Sequence, residues 1–320
     1  MNELLQQIHR IGVVPVIKIT DPETAVPLAR ALDKGGIPVA EVTFRTQHAA
    51  EAIRRISAEV PQVLTGAGTV TTTEQVDTAV AAGAKFIVTP GFNPKVVDYC
   101  LERNIPILPG ASGPSEIEQA MERGLEVVKC FPAEALGGLP YIKALSGPYT
   151  EMKFMPTGGV NPGNITSYLG FSKILACGGS WMIDAKLIAA GDYEGIARLC
   201  RQAVDVVLGL EFSHVGINND GDAEAQRTAA ALAPLLGAPT GENPNAMWSS
   251  SSVEVMKSQW KGSKGHLAIS CSNLDRAVFQ LERRGLAFDP DSAGTSADGK
   301  RRYLFLKDEI GGFAVQIIER

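Results

Sequence analysis

Short β-branched or apolar runs alternate with amphipathic helical stretches up to about residue 210, and that strict order allows little besides repeated βα units. Strands are expected at 13–19, 39–44, 63–66, 86–89, 105–108, 126–130, 153–155 and 174–177. Helices fit between them at 21–33, 47–58, 73–82, 94–102, 114–123, 141–145 and 162–169, and a helix at 193–208 ends the series. Asp21-Pro22, Asn93-Pro94 and Asn161-Pro162 each pair an N-cap side chain with a proline at the first helical position. Eight strands close a parallel barrel, so residues 1–209 are expected to form a (βα)8 TIM barrel. The repeat of about 20 to 25 residues makes it a compact one. A doubly wound open sheet is the alternative, because local patterning does not reveal closure.

With 320 residues, 45% hydrophobic and 20% charged, the chain reads as a soluble globular protein and not a disordered or fibrous one. The net charge of -5 offers no electrostatic footprint for nucleic acid or an anionic membrane, so neither is expected as a partner. Residues 1–10 carry acid and amide side chains where an export signal would carry a basic segment and an apolar run. Five cysteines, an odd number with no CxxC spacing, fit reduced thiols and a cytoplasmic location.

In a barrel the chemistry sits at the C-terminal ends of the strands. Side chains alternate along a strand, so Glu41, Thr43 and Arg45 share one side, expected to face inward, while Val42 and Phe44 share the other. On a later strand Val127, Lys129 and Phe131 share a side, which places Lys129 among apolar walls. Desolvation favours the neutral amine, the form that attacks a carbonyl, whereas a carboxylate such as Glu41 nearby opposes that shift. The competing readings of Lys129 are a phosphate or carboxylate ligand that snorkels to the barrel mouth, or a structural ion pair with Glu41. Gly158-Gly159 and Gly178-Gly179-Ser180 follow the last two strands; tight turns explain such pairs equally well, but that location, where barrels commonly hold a phosphate on backbone amides, favours a phosphate site.

Six segments occur in one order: Glu41-Val-Thr-Phe-Arg-Thr46, Gly66-Ala-Gly-Thr69, Thr89-Pro-Gly91, Lys129-Cys-Phe-Pro-Ala-Glu-Ala-Leu-Gly-Gly138, Pro156-Thr-Gly-Gly159 and Gly178-Gly-Ser-Trp181. Together they resemble the motifs of the 2-keto-3-deoxy-6-phosphogluconate (KDPG) and 2-keto-4-hydroxyglutarate (KHG) aldolases over about residues 5–209. The resemblance implies a class I, metal-independent lyase that splits KDPG into pyruvate and glyceraldehyde 3-phosphate, with KHG a further substrate, in a homotrimeric barrel. It places the Schiff-base lysine on Lys129 and the proton-shuttling glutamate on Glu41. Arg45 and Thr69 then fall on carboxylate-binding positions, Pro90 and Phe131 on pocket walls, and Thr157 beside the keto acid. Gly158, Gly159, Gly179 and Ser180 fall around the phosphate. Cys130 and Phe44 stand where some relatives carry Phe and Leu, and both alternate away from the pocket. The segments 41–45 and 131–134 look more like the gluconate branch than the branch acting on the galactonate epimer.

Residues 210–320 read differently. Strands are expected at 212–218, 252–257, 265–270, 302–307 and 313–319, with helices at 223–236 and 274–284. Two βαβββ cycles of about 50 residues each suggest an internal duplication and a smaller α+β domain. Through His214-Val-Gly216 and Gly265-His-Leu-Ala268 this part weakly resembles glyoxalase-like, vicinal oxygen chelate domains. That resemblance maps four ligand positions onto His214, Glu254, His266 and Gln316, a mixed nitrogen and oxygen set that suits a divalent metal. Gln316 stands where a glutamate is more usual. Two readings of the whole chain follow: an aldolase with a passive C-terminal module, or a bifunctional protein whose second domain adds metal-dependent keto-acid chemistry.

Overall fold

The computed structural model describes residues 1–297 and 299–320, which divide into two compact units, Met1–Val207 and Leu208–Arg320. In the first unit the strands are β1 (Val13–Ile17), β2 (Val39–Thr43), β3 (Leu64–Gly68), β4 (Ile87–Val88), β5 (Ile107–Leu108), β6 (Val127–Cys130), β7 (Lys153–Pro156) and β8 (Cys177–Gly179). Six of them form a parallel sheet in the order β5-β4-β3-β2-β1-β8, and β6 and β7 form a parallel pair. Isolated bridges close the two seams: Gly110 to Lys129 between β5 and β6, and Phe154 to Ile174 and Thr157 to Gly178 between β7 and β8. Ala111 N donates to Lys129 O and Lys129 N to Pro109 O, both at 2.8 Å, so the first seam runs through the backbone of Lys129 itself. The result is a closed barrel, and the open-sheet alternative is excluded.

The helices bury one stripe each against this ring, as Leu28, Ala29 and Leu32 do on Ala25–Lys34 and Ala52, Ile53 and Ile56 on Ala49–Glu59. Capping chemistry sets several starts. Asp21 accepts from Glu23 N at 3.0 Å ahead of Pro22, and Asn93 accepts from Lys95 N at 3.1 Å ahead of Pro94. The third site behaves otherwise. Asn161 Oδ1 accepts from Gly163 N in a local turn, and the helix starts only at Ile165. Both Asn161 and Asn164 donate Nδ2 to Gly159 O, at 3.0 and 3.1 Å, so these amides brace the loop after β7 instead of starting a helix. Helices Glu3–Ile11 and Ala185–Ala189 lie outside the sequence expectation.

Two strands lie further along than their hydrophobic runs suggest. β8 was expected at 174–177, but Gly178 and Gly179 are themselves strand, paired with Val14 and Pro15 of β1, while Ile174 makes only a bridge. β3 extends through Gly66 and Gly68 because large neighbours use the space of their missing side chains. A Cβ on Gly66 would lie 2.3 Å from the ring of Phe86, and one on Gly68 would lie 2.3 Å from Glu41 Oε1.

The second unit holds an eight-stranded sheet: β9 (Glu211–Ile217), β10 (Gly241–Glu242), β11 (Ala246–Trp248), β12 (Val253–Met256), β13 (Gly265–Cys271), β14 (Phe288–Thr295), β15 (Arg301–Leu306) and β16 (Ala314–Glu319). Their order, β10-β11-β12-β9-β13-β16-β15-β14, is two copies of one four-strand pattern joined by the antiparallel pair β9 and β13. Helices Asp222–Leu236 and Leu274–Arg283 occupy equivalent places after β9 and β13. The two- and three-residue strands β10 and β11 are too short to show a period, and the polar strand β14 carries no apolar run, so all three escape sequence reading.

Overpacking a closed ring is costly. Gly66→Ala is expected to lower unfolding stability by about 1 to 3 kcal/mol by pushing into the fully buried Phe86. Thermal unfolding checks this, and Gly66→Ala combined with Phe86→Leu should recover part of the loss.

Candidate active site

Strand β2 is buried along its whole length, and it carries Glu41 inward with no exposed surface. Lys129 reaches it from β6: Nζ lies 2.9 Å from Glu41 Oε1 and 3.3 Å from Oε2. With side chains only 6% and 1% exposed, the two charges are almost wholly removed from water. Such a pair persists only where geometry lets each charge compensate the other. Gly68 supplies the room on one side, and Gly110 lets the chain pass close to Pro90, whose carbonyl oxygen a Cβ there would approach to 2.3 Å.

The remaining residues close around this pair. A cavity of about 140 Å³ is lined by Glu41, Lys129, Arg45, Thr69, Pro90, Phe131, Thr157 and Val16. Arg45 is oriented by donating Nε to Thr43 Oγ1 at 3.1 Å, and Thr43 in turn donates to Ile17 O at 2.8 Å. Thr69 adopts a left-handed backbone, φ 56°, that costs energy in a residue with a side chain and tends to cluster at functional sites. The face of Phe131 lies 5.8 Å from Lys129 Nζ. Thr157 Oγ1 is buried and has no hydrogen-bond partner among the described residues, and Gly178 leaves it room. A hydroxyl left like that favours a ligand that can bond to it.

The phosphate candidates lie apart from this cavity. Ser180 lines a neighbouring groove of about 600 Å³ that also shares Val16 and Arg45. Gly158 and Gly159 form a left-handed turn, φ 94° and 84°, after β7. Gly179 lies on β8, where its missing Cβ makes way for the ring of Trp181 at 1.9 Å, so packing alone accounts for that glycine. Gly158, Gly159 and Gly179 line neither cavity. Lys18 was missed by sequence reading: it follows β1 and lines the groove with Arg45 and Ser180.

A second constellation lies in the C-terminal unit. The central strands β12, β9, β13 and β16 contribute Glu254, His214, His266 and Gln316 respectively. Register pairs Gly216 with both Glu254 and His266, and Ala268 with both His214 and Gln316, so all four share one face of the sheet. His214 Nε2 is 3.2 Å from His266 Nε2, and the two lie 3.5 and 3.3 Å from Glu254 Oε2. Gly216 makes this approach feasible, since a Cβ there would fall 1.9 Å from the His266 ring. Burial opposes the charge of Glu254, but hydrogen bonds with His214 and His266 outweigh it and hold its pKa at about 2. Gln316 Oε1 is buried without a partner among the described residues. A cavity of about 480 Å³ opens on His214, Glu254 and Gln316, walled by Trp248, Trp260 and Tyr303.

Residues 4–199 match the family model described as KDPG and KHG aldolase. This chain belongs to that family. It is 51% identical over 207 residues to the 2-dehydro-3-deoxy-phosphogluconate aldolase of Treponema pallidum, which covers 65% of this chain and 99% of the relative. It is 45% identical over 193 residues to the KHG/KDPG aldolase of Escherichia coli K12, covering 60% of this chain and 91% of the relative. The crystal structure of KDPG aldolase from Legionella pneumophila, with pyruvate captured as a covalent carbinolamine intermediate, superposes with a TM-score of 0.60 at 39% identity. That superposition covers 62% of this chain and 97% of the other. The barrel of this KDPG and KHG aldolase family member is accordingly an aldolase, and the family match ends at residue 199. Among the described residues no helix is long and apolar enough to cross a membrane.

Removing one member of the buried pair strands the other. Lys129→Met should lower unfolding stability by about 3 kcal/mol, and adding Glu41→Gln should restore most of it. Denaturant unfolding of the two single variants and the double variant measures this coupling.

Proposed function

We propose that the barrel forms a Schiff base on Lys129 with 2-keto-3-deoxy-6-phosphogluconate and releases pyruvate and glyceraldehyde 3-phosphate. The observation that carries the reading is a buried amine 2.9 Å from a buried carboxylate in a small cavity that also holds Arg45. The proton that Lys129 must lose to become a nucleophile already has an acceptor. The neutral amine attacks the C2 ketone, and the carbinolamine hydroxyl leaves as water with the proton that Glu41 took from Lys129, which restores the Glu41 carboxylate and leaves a protonated imine. Glu41 then takes the proton of the C4 hydroxyl, and the C3–C4 electrons flow into the imine to give an enamine and the free aldehyde. Glu41 returns a proton to C3, and water releases pyruvate from Lys129. Arg45 suits the substrate carboxylate through its planar fork, and Thr69 completes that end of the cavity. Pro90 and Phe131 wall the reacting carbons, and the unpartnered Thr157 hydroxyl meets a polar atom of the substrate.

Gly158, Gly159, Gly179, Ser180 and Lys18 form the phosphate seat in this reading; the groove that continues from Arg45 to Ser180 supports Ser180 and Lys18, and the left-handed turn after β7 supports Gly158 and Gly159. The gluconate epimer is favoured over the galactonate one, in keeping with the name of the Treponema relative. 2-Keto-4-hydroxyglutarate, cleaved to pyruvate and glyoxylate, is a second substrate in keeping with the name of the Escherichia relative. A homotrimer and a cytoplasmic location belong to the same reading; the buried free cysteines suit a reducing compartment. The barrel step needs no cofactor, because the imine is its own electron sink. Release of pyruvate from the phosphorylated substrate, followed with lactate dehydrogenase, should persist in EDTA. It should fall about 10²- to 10⁴-fold in Glu41→Gln. EDTA-sensitive release would contradict the reading.

A second reading concerns residues 208–320, and the convergence of His214, Glu254 and His266 favours it. Donor atoms 3.2 to 3.5 Å apart are spaced as ligands sharing one ion about 2 Å from each, and the orphaned Gln316 Oε1 is a fourth donor. When bound, a divalent metal would supply Lewis acidity toward an oxygen-bearing ligand in the aromatic-walled cavity. The amide of Gln316 brings no charge, so affinity is lower than with a carboxylate there. Elemental analysis of the whole chain after equilibration with zinc or manganese should find about one ion per chain, lost in His214→Ala and His266→Ala. A metal-free wild type would leave this domain a passive module.

A further inference from the structure

We propose that Tyr168 is a positioning residue for the phosphorylated end of the substrate, acting by holding the Glu134 carboxylate away from the Gly158-Gly159 turn. This rests on the reading of that turn as the phosphate seat.

The contacts assign opposite ends of Glu134 to opposite neighbours. A Cβ on Gly159 would lie 2.4 Å from Glu134 Cγ and 2.5 Å from its Cβ, so the methylene stem packs directly beneath the turn. A Cβ on Gly138 would lie 3.1 Å from Glu134 Oε1 and 3.2 Å from the Tyr168 hydroxyl oxygen, so the carboxylate points the other way. Tyr168 comes from helix Ile165–Leu169 with 1% of its surface exposed, and it donates its hydroxyl to Glu134 Oε1. Glu134 N donates to Gly158 O at 3.1 Å, which fixes the backbone of the carboxylate's residue to the turn.

This arrangement has an electrostatic consequence. Glu134 is exposed and its stem touches the turn, so rotation about its side-chain bonds would bring a negative charge beside a phosphate dianion. The Tyr168 hydroxyl is the anchor that prevents it. The anchor belongs to one end of the substrate only: neither Glu134 nor Tyr168 lines the cavity of Lys129 and Glu41. Its loss should therefore separate phosphate binding from imine chemistry.

The test compares wild type, Tyr168→Phe, Glu134→Gln and the double variant in two assays: steady-state cleavage of 2-keto-3-deoxy-6-phosphogluconate, and exchange of pyruvate methyl protons in D2O followed by NMR. The exchange needs Lys129 and Glu41 but no phosphate. Tyr168→Phe should raise KM for the phosphorylated substrate about three- to tenfold, the size of one lost hydrogen bond, and leave the exchange rate within about twofold. Adding Glu134→Gln removes the charge and should return KM to within about twofold of wild type. A double variant as impaired as Tyr168→Phe, an unchanged KM, or an equal fall in both assays would overturn the proposal in favour of a purely structural tyrosine. Inorganic phosphate should compete with the substrate in wild type and more weakly in Tyr168→Phe. Absence of competition in wild type would remove the phosphate seat and this proposal together, whereas equal competition in both proteins would remove the proposal alone.

Discussion

A lysine and a glutamate buried together at the floor of a barrel are the constraint around which the first unit is built. Taking Lys129 and Glu41 out of water is expensive, and each is tolerable only because the other lies 2.9 Å away. The neighbouring sequence makes that approach feasible. Gly68 on β3 leaves the volume that the Glu41 carboxylate occupies, and the backbone of Lys129 stitches β6 to the Gly110 segment after β5. The residue proposed to carry the chemistry is thus also a closing rivet of the ring. Its side chain and its main chain are held by different neighbours, Glu41 and the segment 109–111.

Much of this was legible in the linear sequence, for reasons that differ by feature. The alternation of apolar runs and amphipathic stretches placed eight strands and most helices, because burial on a parallel sheet demands it. Period-two alternation put Glu41 and Lys129 on inward faces without any structural input. Closure was not legible, since two of the seams rest on one and two isolated bridges that leave no pattern. Glycines misled most. Gly178 and Gly179 read as lying beyond the last strand but are strand, because their lack of side chains serves Thr157 and Trp181. Asn161-Pro162 read as a helix start, yet its amide braces the carbonyl of Gly159. Lys18 escaped notice because a lone exposed cation at a strand end has no distinguishing pattern.

The C-terminal unit shows the same logic from the other side. Four candidate ligands separated by up to about a hundred residues come to one face because a duplicated βαβββ pattern places an equivalent pair of strands on each side of a central antiparallel seam. Gly216 is as necessary there as Gly68 is in the barrel: each lets a polar side chain lie where a methyl group would stand. What distinguishes the two sites is charge. In the barrel a lysine answers the carboxylate, whereas Glu254 meets two imidazoles whose donor atoms lie close enough together for one divalent ion to share them.

The central claim is that Lys129 Nζ becomes covalently bonded to pyruvate. Borohydride reduction of the folded protein in the presence of pyruvate, followed by intact mass and peptide mapping, tests it most directly. The account predicts one reduced pyruvyl adduct per chain, mapped to Lys129 and lost in Lys129→Met. An unmodified Lys129 in protein that remains folded, or an adduct on another lysine, would contradict it.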